Sequence, residues 1–195
     1  LFPVPLCPVF SAQVDKAGAV TLNPHSWHAS SNMLFLDQPV GTGLAYTRSR
    51  RYPGDDRAVN EAFYRMLEAF FALHPSFVTR DPASGLRTSR AVLLTGESHA
   101  GHYIPCMAKY ILQRNAEARA AAGGSGGGLV IALDGLAIGN GWIDPFHQYD
   151  VSDYAHGQGL ISDGQRHTMK VTAGAPACVL TCCLRLFLLQ CMYCE

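Results

Sequence analysis

The chain has 195 residues, 48% of them hydrophobic and 15% charged, and fifteen basic residues balance fifteen acidic ones. That length gives a prior of about one domain, and the composition supports a packed core and excludes a disordered polymer. Balanced charge removes any electrostatic case for nucleic acid as a partner.

Leu1 to Phe10 is apolar but contains Pro3, Pro5 and Pro8, which exclude a continuous helix. With no initiator methionine and no basic-then-apolar leader, this start reads as a cut edge, and no signal peptide is visible. Val9 to Leu22 alternates loosely around Asp15–Gly18, which predicts two strands joined by a hairpin turn. Met33 to Leu36, closed by Asp37 and Pro39, predicts a buried strand entering a glycine-rich loop. Arg48, Arg50 and Arg51, countered by Asp55 and Asp56, read as a solvated loop. Asp55 or Asp56 caps a predicted helix carrying Val59, Phe63, Met66, Leu67, Phe70 and Phe71 on one broad face, and Pro75 stops it.

Arg90 to Thr95 is a short apolar run ending at Gly96, the pattern of a buried strand. From Ala100 and Gly101 onward, Tyr103, Ile104, Met107, Ala108, Ile111 and Leu112 recur at helical spacing. Ala120 to Gly128 reads as a flexible surface linker. Leu129 to Ile138 returns as a strand, and Asp144 with Pro145 opens a helix expected to run through His156. Strands alternating with helices predict an α/β fold: a mainly parallel sheet with helices on both faces and an antiparallel N-terminal hairpin at one edge.

From Val171 the pattern lapses, which divides the chain into a domain over 1–170 and an atypical Cys-rich apolar tail over 171–195. Val179 to Cys194 is interrupted by Arg185 and falls short of the roughly 20 apolar residues that span a bilayer, so no membrane association is expected. Only Cys191 and Cys194 show CxxC spacing and no second knuckle follows, so no metal or cofactor is expected. The cysteine count is seven, and Cys106 reads as a small buried apolar residue. No Asn-x-Ser/Thr sequon occurs, so glycosylation says nothing about compartment.

The chemistry concentrates at Ser98, at the junction of a predicted strand and a predicted helix. A serine there is held in a strained turn with its hydroxyl above the sheet edge. Such a turn needs tiny residues where strand and helix backbones nearly touch, which Gly96, Ala100 and Gly101 provide. The helix start directs its free N–H groups and positive dipole end at the hydroxyl. His99 and His102 are neighbours of Ser98 in sequence, but a turn sends adjacent side chains in different directions, and both read as surface or packing residues.

GESHAGHYIP, residues 96–105, resembles the nucleophile segment of the serine carboxypeptidases. NMLFLDQPVGTGLAY from Asn32 to Tyr46 and GLAIGNGWIDPFHQY from Gly135 to Tyr149 are similar to two further segments of that family, in the same order, and NPHSW at Asn23–Trp27 resembles the lead-in to the first. The resemblance implies an α/β-hydrolase fold and release of C-terminal residues from peptides through an acyl-enzyme on Ser98. It implies a substrate with a free C-terminus, whose carboxylate Glu97 binds in its protonated form, hence action at acid pH as in a lysosome or vacuole, and it places the protein in the secretory pathway, in the vacuole or lysosome, or outside the cell. The backbone N–H of His99, where the family carries Tyr or Phe, supplies half of the oxyanion hole. The Asp37–Gly43 loop and Asn140–Trp142 take structural roles, with Trp142 lining the pocket or filling the core. The family's acid and histidine are expected farther downstream than this chain reaches, and none of Asp134, Asp144, Asp150, Asp153, Asp163, His147, His156 or His167 follows a strand as those partners do. The base is therefore unassigned, and the isolated chain is expected to be an inactive fragment. Relatives that act as acyltransferases leave transfer of an acyl group to an alcohol as the alternative activity.

Overall fold

The computed structural model describes residues 12–121, 128–144, 148 and 150–174. The opening Leu1–Phe10 run, residues 122–127 of the expected linker, and the tail from 175 onward lie outside them.

The hairpin forms where its alternation places it. Strands β1 (Ala12–Val14) and β2 (Val20–Leu22) pair antiparallel, with Val14 opposite Val20. Asp15 closes the turn by accepting the Ala17 and Ala19 N–H groups at 2.8 and 2.9 Å. Met33–Leu36, expected as a buried strand, is extended chain outside any strand. Leu34 and Phe35 are largely exposed, and only Leu36 packs against the core. A short apolar run becomes a strand only where a neighbouring ladder accepts its amides.

Helix α1 (Asp56–Leu73) starts where the cap signal predicted: the Asp55 carboxylate accepts the Ala58 N–H at 2.8 Å. Its apolar stripe buries Val59, Phe63, Leu67 and Phe71, with Met66 and Phe70 packed at the margin. The chain then forms a hairpin that the periodicity did not reveal, β3 (Val78–Asp81) with β4 (Gly85–Thr88). The Ser84 hydroxyl donates to the Asp81 carboxylate across its turn.

Strand β5 (Val92–Glu97) leads into helix α2 (Ala100–Ala121). Two parallel strands follow, β6 (Leu129–Val130) against β4 and β7 (Leu133–Gly139) against β5. Between them the backbone at Ile131 leaves one ladder for the other, and polar side chains fill the gap. Asn115 on α2 donates from Nδ2 to the Ile131 carbonyl at 2.7 Å and accepts the Ile131 N–H at 2.8 Å, while Thr88 Oγ1 accepts the Ala132 N–H at 2.8 Å. Asn115 and Ile131 are both buried, so this amide substitutes for a strand neighbour where water has no access. The Ala132 carbonyl in turn accepts the Val92 N–H at 2.8 Å, which starts β5.

Val92, Leu94 and Ile138 turn toward α1 and α2, where Ile104, Met107, Ala108 and Ile111 complete one core. Helices α1 and α2 pack against each other, and α2 lies on β5 and β7. Leu93, alternating to the opposite side of β5, is 58% exposed, so the cover expected on the second face is not among the described residues. Cys106 is buried as expected, but as half of a disulfide bond and not as a free apolar residue.

The helix expected from Asp144 through His156 is interrupted. Asp150 and Val151 lie outside any helix, and a short α3 (Ser152–Gly157) begins after them. The Asp150 carboxylate accepts the Ser152 N–H at 3.1 Å and its hydroxyl at 2.6 Å, the local bonding by which Asp competes with a helix. Helix α4 (Asp163–Gly174) packs on α3. Among the described residues no helix is long and apolar enough to cross a membrane.

Candidate active site

The site is built where β5 ends. Glu97 pairs with Gly139 of β7, and the Ser98 N–H donates to the Gly139 carbonyl at 2.9 Å, so the ladder carries the chain up to the serine. The backbone then reverses with Ser98 at φ +56°, a left-handed conformation that few non-glycine residues adopt and that costs on the order of 1–3 kcal/mol. Surrounding contacts hold it there. The Ser98 carbonyl accepts N–H groups from Gly101 at 3.0 Å and Trp142 at 2.8 Å, and the His99 carbonyl accepts the His102 N–H at 2.9 Å.

The need for tiny residues is met in full. A Cβ on Gly96 would lie 2.5 Å from the Ala100 methyl and 2.8 Å from Ile104 Cδ1. A Cβ on Gly101 would meet backbone, 2.6 Å from Trp142 N and 2.8 Å from Gly141 C. Strand, helix and the Asn140–Trp142 turn thus touch at van der Waals distance around Ser98, and Asn140 itself sits at φ +46°.

Glu97, Ser98 and His99 are consecutive and exposed. Among the described residues neither the Glu97 carboxylate nor the His99 N–H has a hydrogen-bond partner, so an acid and a backbone donor stand open on the two sides of the serine. The His99 ring stacks on Trp142 at 5.0 Å with a 23° interplanar angle and meets the edge of Tyr103 at 4.8 Å. Trp142 is therefore part of the wall beside the serine. His102, by contrast, is half-buried and directs Nε2 to the carboxylate of Asp56, 3.2 Å from either oxygen. Burial, followed by the Asp56 charge, pushes the Tyr103 phenol above its ordinary value.

The Asp37–Gly43 loop is structural, as its glycines suggest. Gly43 has φ +55°, a Cβ there would overlap the Asp37 carboxylate, and Asp37 Oδ2 accepts the Leu44 N–H at 2.7 Å. The Gln38–Pro39 peptide is cis. After Trp142 the Gln148 side chain ties the loop by accepting the Ile143 and Asp144 N–H groups and donating to the Gly141 carbonyl. That anchor carried no sequence signal.

Among the described residues no acid–histidine couple joins Ser98. His156 pairs with Asp163 at 2.9 Å between α3 and α4, on helices and not after strands, and His147 lies outside the described residues. Among the described residues no three His, Cys, Asp or Glu side chains converge to hold a metal ion.

The model of the serine carboxypeptidase family matches residues 9–185. A pheromone-processing carboxypeptidase, KEX1, of Phytophthora infestans is 41% identical over 150 residues, 77% of this chain and 24% of that protein. A serine carboxypeptidase-like protein of Oryza sativa is 36% identical over 160 residues, 81% of this chain and 33% of its own length. Among solved structures, a prohormone-processing carboxypeptidase from Saccharomyces cerevisiae, Kex1(Δ)p, superposes with a TM-score of 0.62 and 26% identity over 87% of this chain and 36% of that one. The chain thus spans a quarter to a third of the length of these relatives, and what it spans is a partial α/β-hydrolase fold. Its strand–turn–helix around Ser98 and its match across residues 9–185 make it a member of the serine carboxypeptidase family.

Proposed function

We propose that this chain supplies the nucleophile and the terminal-carboxylate contact of a serine carboxypeptidase. The observation that carries the reading is Ser98 at φ +56° on the exposed end of β5, at the start of α2, with the unfilled His99 N–H beside it. In this mechanism the Ser98 oxygen adds to the carbonyl of the last peptide bond as a base removes its proton. The oxyanion forms against the His99 N–H and a second N–H that, by resemblance, a glycine-rich segment of the family domain supplies, the C–N bond breaks, and the amino acid departs with that proton. Water then adds to the acyl-serine, the acyl C–O bond breaks, and the shortened peptide leaves. Glu97 is placed one residue before the nucleophile, where in protonated form it donates to the substrate's free carboxylate. Gly96, Ala100 and Gly101 support the turn and touch no substrate.

The substrates are peptides with free C-termini, consistent with the pheromone- and prohormone-processing carboxypeptidases this chain resembles. Action at acid pH follows from the need for a protonated Glu97 and fits a vacuolar, lysosomal or extracellular setting. The base and its acid are contributed by parts of the family domain outside this chain, so the chain by itself is expected to be without turnover.

The test joins this segment to the rest of a family domain and assays release of the C-terminal residue from a blocked dipeptide, beside transfer from an acyl-glucose donor. Peptide cleavage lost by about 10⁶-fold in kcat on Ser98→Ala is expected, by analogy with other serine nucleophiles. Cleavage that survives the substitution contradicts the reading. Transfer without cleavage would favour the acyltransferase alternative, to which His99 is the one residue that points.

A further inference from the structure

Two helices begin in the same small volume beside the nucleophile turn. Asp56 is the first residue of α1 and His102 is in the first turn of α2, and their side chains are 15% and 10% exposed. A carboxylate at that place is favoured by the positive ends of both helices and by the imidazole donor. His102 is therefore engaged with Asp56 through Nε2 and is not free to act as a base for Ser98.

The pair is nevertheless only two contacts from the serine. The His102 N–H donates to the His99 carbonyl at 2.9 Å, and its ring centroid lies 5.8 Å from that of His99 and 6.3 Å from that of Trp142. Trp142 in turn donates its N–H to the Ser98 carbonyl. The other restraints on the turn come from the start of α2, where the Gly101 N–H holds the Ser98 carbonyl and Ala100 and Ile104 pack on Gly96, and from Gly139, Gly141 and Trp142 on the β7 side. A strained turn persists only where its surroundings over-determine it, and the start of α2 carries part of that load; apolar packing joins the bodies of α1 and α2, and the Asp56–His102 bond adds a directional tie between their first turns.

We propose that Asp56 and His102 are positioning residues for the nucleophile turn, clamping the start of α2 to the start of α1 so that the His99 N–H keeps one fixed relation to the Ser98 hydroxyl. The inference rests on the reading of Ser98 as nucleophile, but its first test does not use that chemistry. Amide hydrogen exchange is measured on this chain in the native sequence and in Asp56→Asn, His102→Ala and His102→Gln. The expected result for His102→Ala is exchange faster by about tenfold or more at the Ser98, Gly101 and Trp142 amides, with Leu94 and Ile111 unchanged. His102→Gln, whose amide nitrogen can reach Asp56, is expected to restore native rates. Should His102→Ala fail to fold, Asp56→Asn carries the same local test. Unchanged rates at those three amides overturn the proposal, and so does an equal rise at Leu94 and Ile111, the signature of general destabilisation.

The second test uses fluorophosphonate inactivation of the segment joined to the rest of a family domain. His102→Ala is expected to lower the maximal inactivation rate by about 10²-fold with the half-saturating probe concentration unchanged, as misplacement near a reacting centre does. A change confined to half-saturation contradicts positioning. Native labelling in Ser98→Ala would instead refute the nucleophile reading and leave the exchange result standing, so the two failures are distinguishable.

Discussion

The turn around Ser98 and the α3–α4 hairpin are held by opposite kinds of force. Around Ser98 the restraints are backbone against backbone: β5, α2 and the Asn140–Trp142 turn close on one another until a methyl group at Gly96 or Gly101 has no room. Between α3 and α4 they are side-chain contacts at the surface, ion pairs of Asp153 with Arg166 and Lys170 at 2.7 and 2.8 Å and a contact of His156 with Asp163. Close packing fixes a strained geometry because every relaxation meets an atom. Exposed pairs yield to solvent, salt and pH and fix little. Close packing on the α2 and β7 sides thus sets the geometry at Ser98, and the largely buried Asp56–His102 pair is a polar tie beside it.

Four substitutions probe that contrast. The largest effect is expected from Asn115→Ala, which leaves the buried Ile131 N–H without a partner at a cost of about 1–3 kcal/mol and removes one of the two bonds to its carbonyl, the Leu133 N–H keeping the other, for about 1 kcal/mol more, measured by denaturant unfolding. Gly101→Ala comes next. In an open helix this change gains about 1 kcal/mol, but here the Cβ strikes the backbone of Gly141 and Trp142, so a loss of about 1–3 kcal/mol is expected. Gly164→Ala on α4 is its control, since nothing lies within 4 Å of that Cβ, and a gain of up to about 1 kcal/mol is expected. Equal effects at the two glycines would erase the distinction between the regions.

The smallest effect is expected from Asp153→Asn. Its carboxyl is held below the ordinary value of 3.8 by bonds from Lys170 and Arg166. A group depressed on folding stabilises the folded state above its unfolded value and loses that contribution as pH falls through its folded value. The Asp153 bonds to Arg166 and Lys170 are therefore expected to weaken only below pH 3.8, seen as shifts in the Arg166 and Lys170 side-chain NMR signals, with no such step in Asp153→Asn. Loosening that begins at neutral pH would contradict the assignment.

Local chemistry was legible wherever a residue acts on its own neighbours. The Asp55 cap, the apolar stripe of α1, the Asp15–Gly18 turn and the demand for small residues around Ser98 all follow from nearest-neighbour sterics and periodicity. What stayed hidden depends on partners distant in sequence. Asn115 meets Ile131 and His102 meets Asp56, and neither asparagine nor histidine announces a partner 16 or 46 positions away. The β3–β4 hairpin escaped because Val78–Thr88 lacks a clean apolar alternation, although its Asp81-Pro82 and Gly85 are turn residues. Met33–Leu36 failed in the reverse sense: apolar enough for a strand, it has no ladder among the described residues. The Ser98 motif is readable because strand, turn and helix are contiguous.

The most direct measurement is mass-spectrometric mapping of the fluorophosphonate adduct on this segment joined to the rest of a family domain. An adduct on Ser98 alone, absent from the Ser98→Ala protein, is expected if the left-handed turn presents an activated hydroxyl. An adduct on another residue, or labelling that survives the substitution, contradicts it.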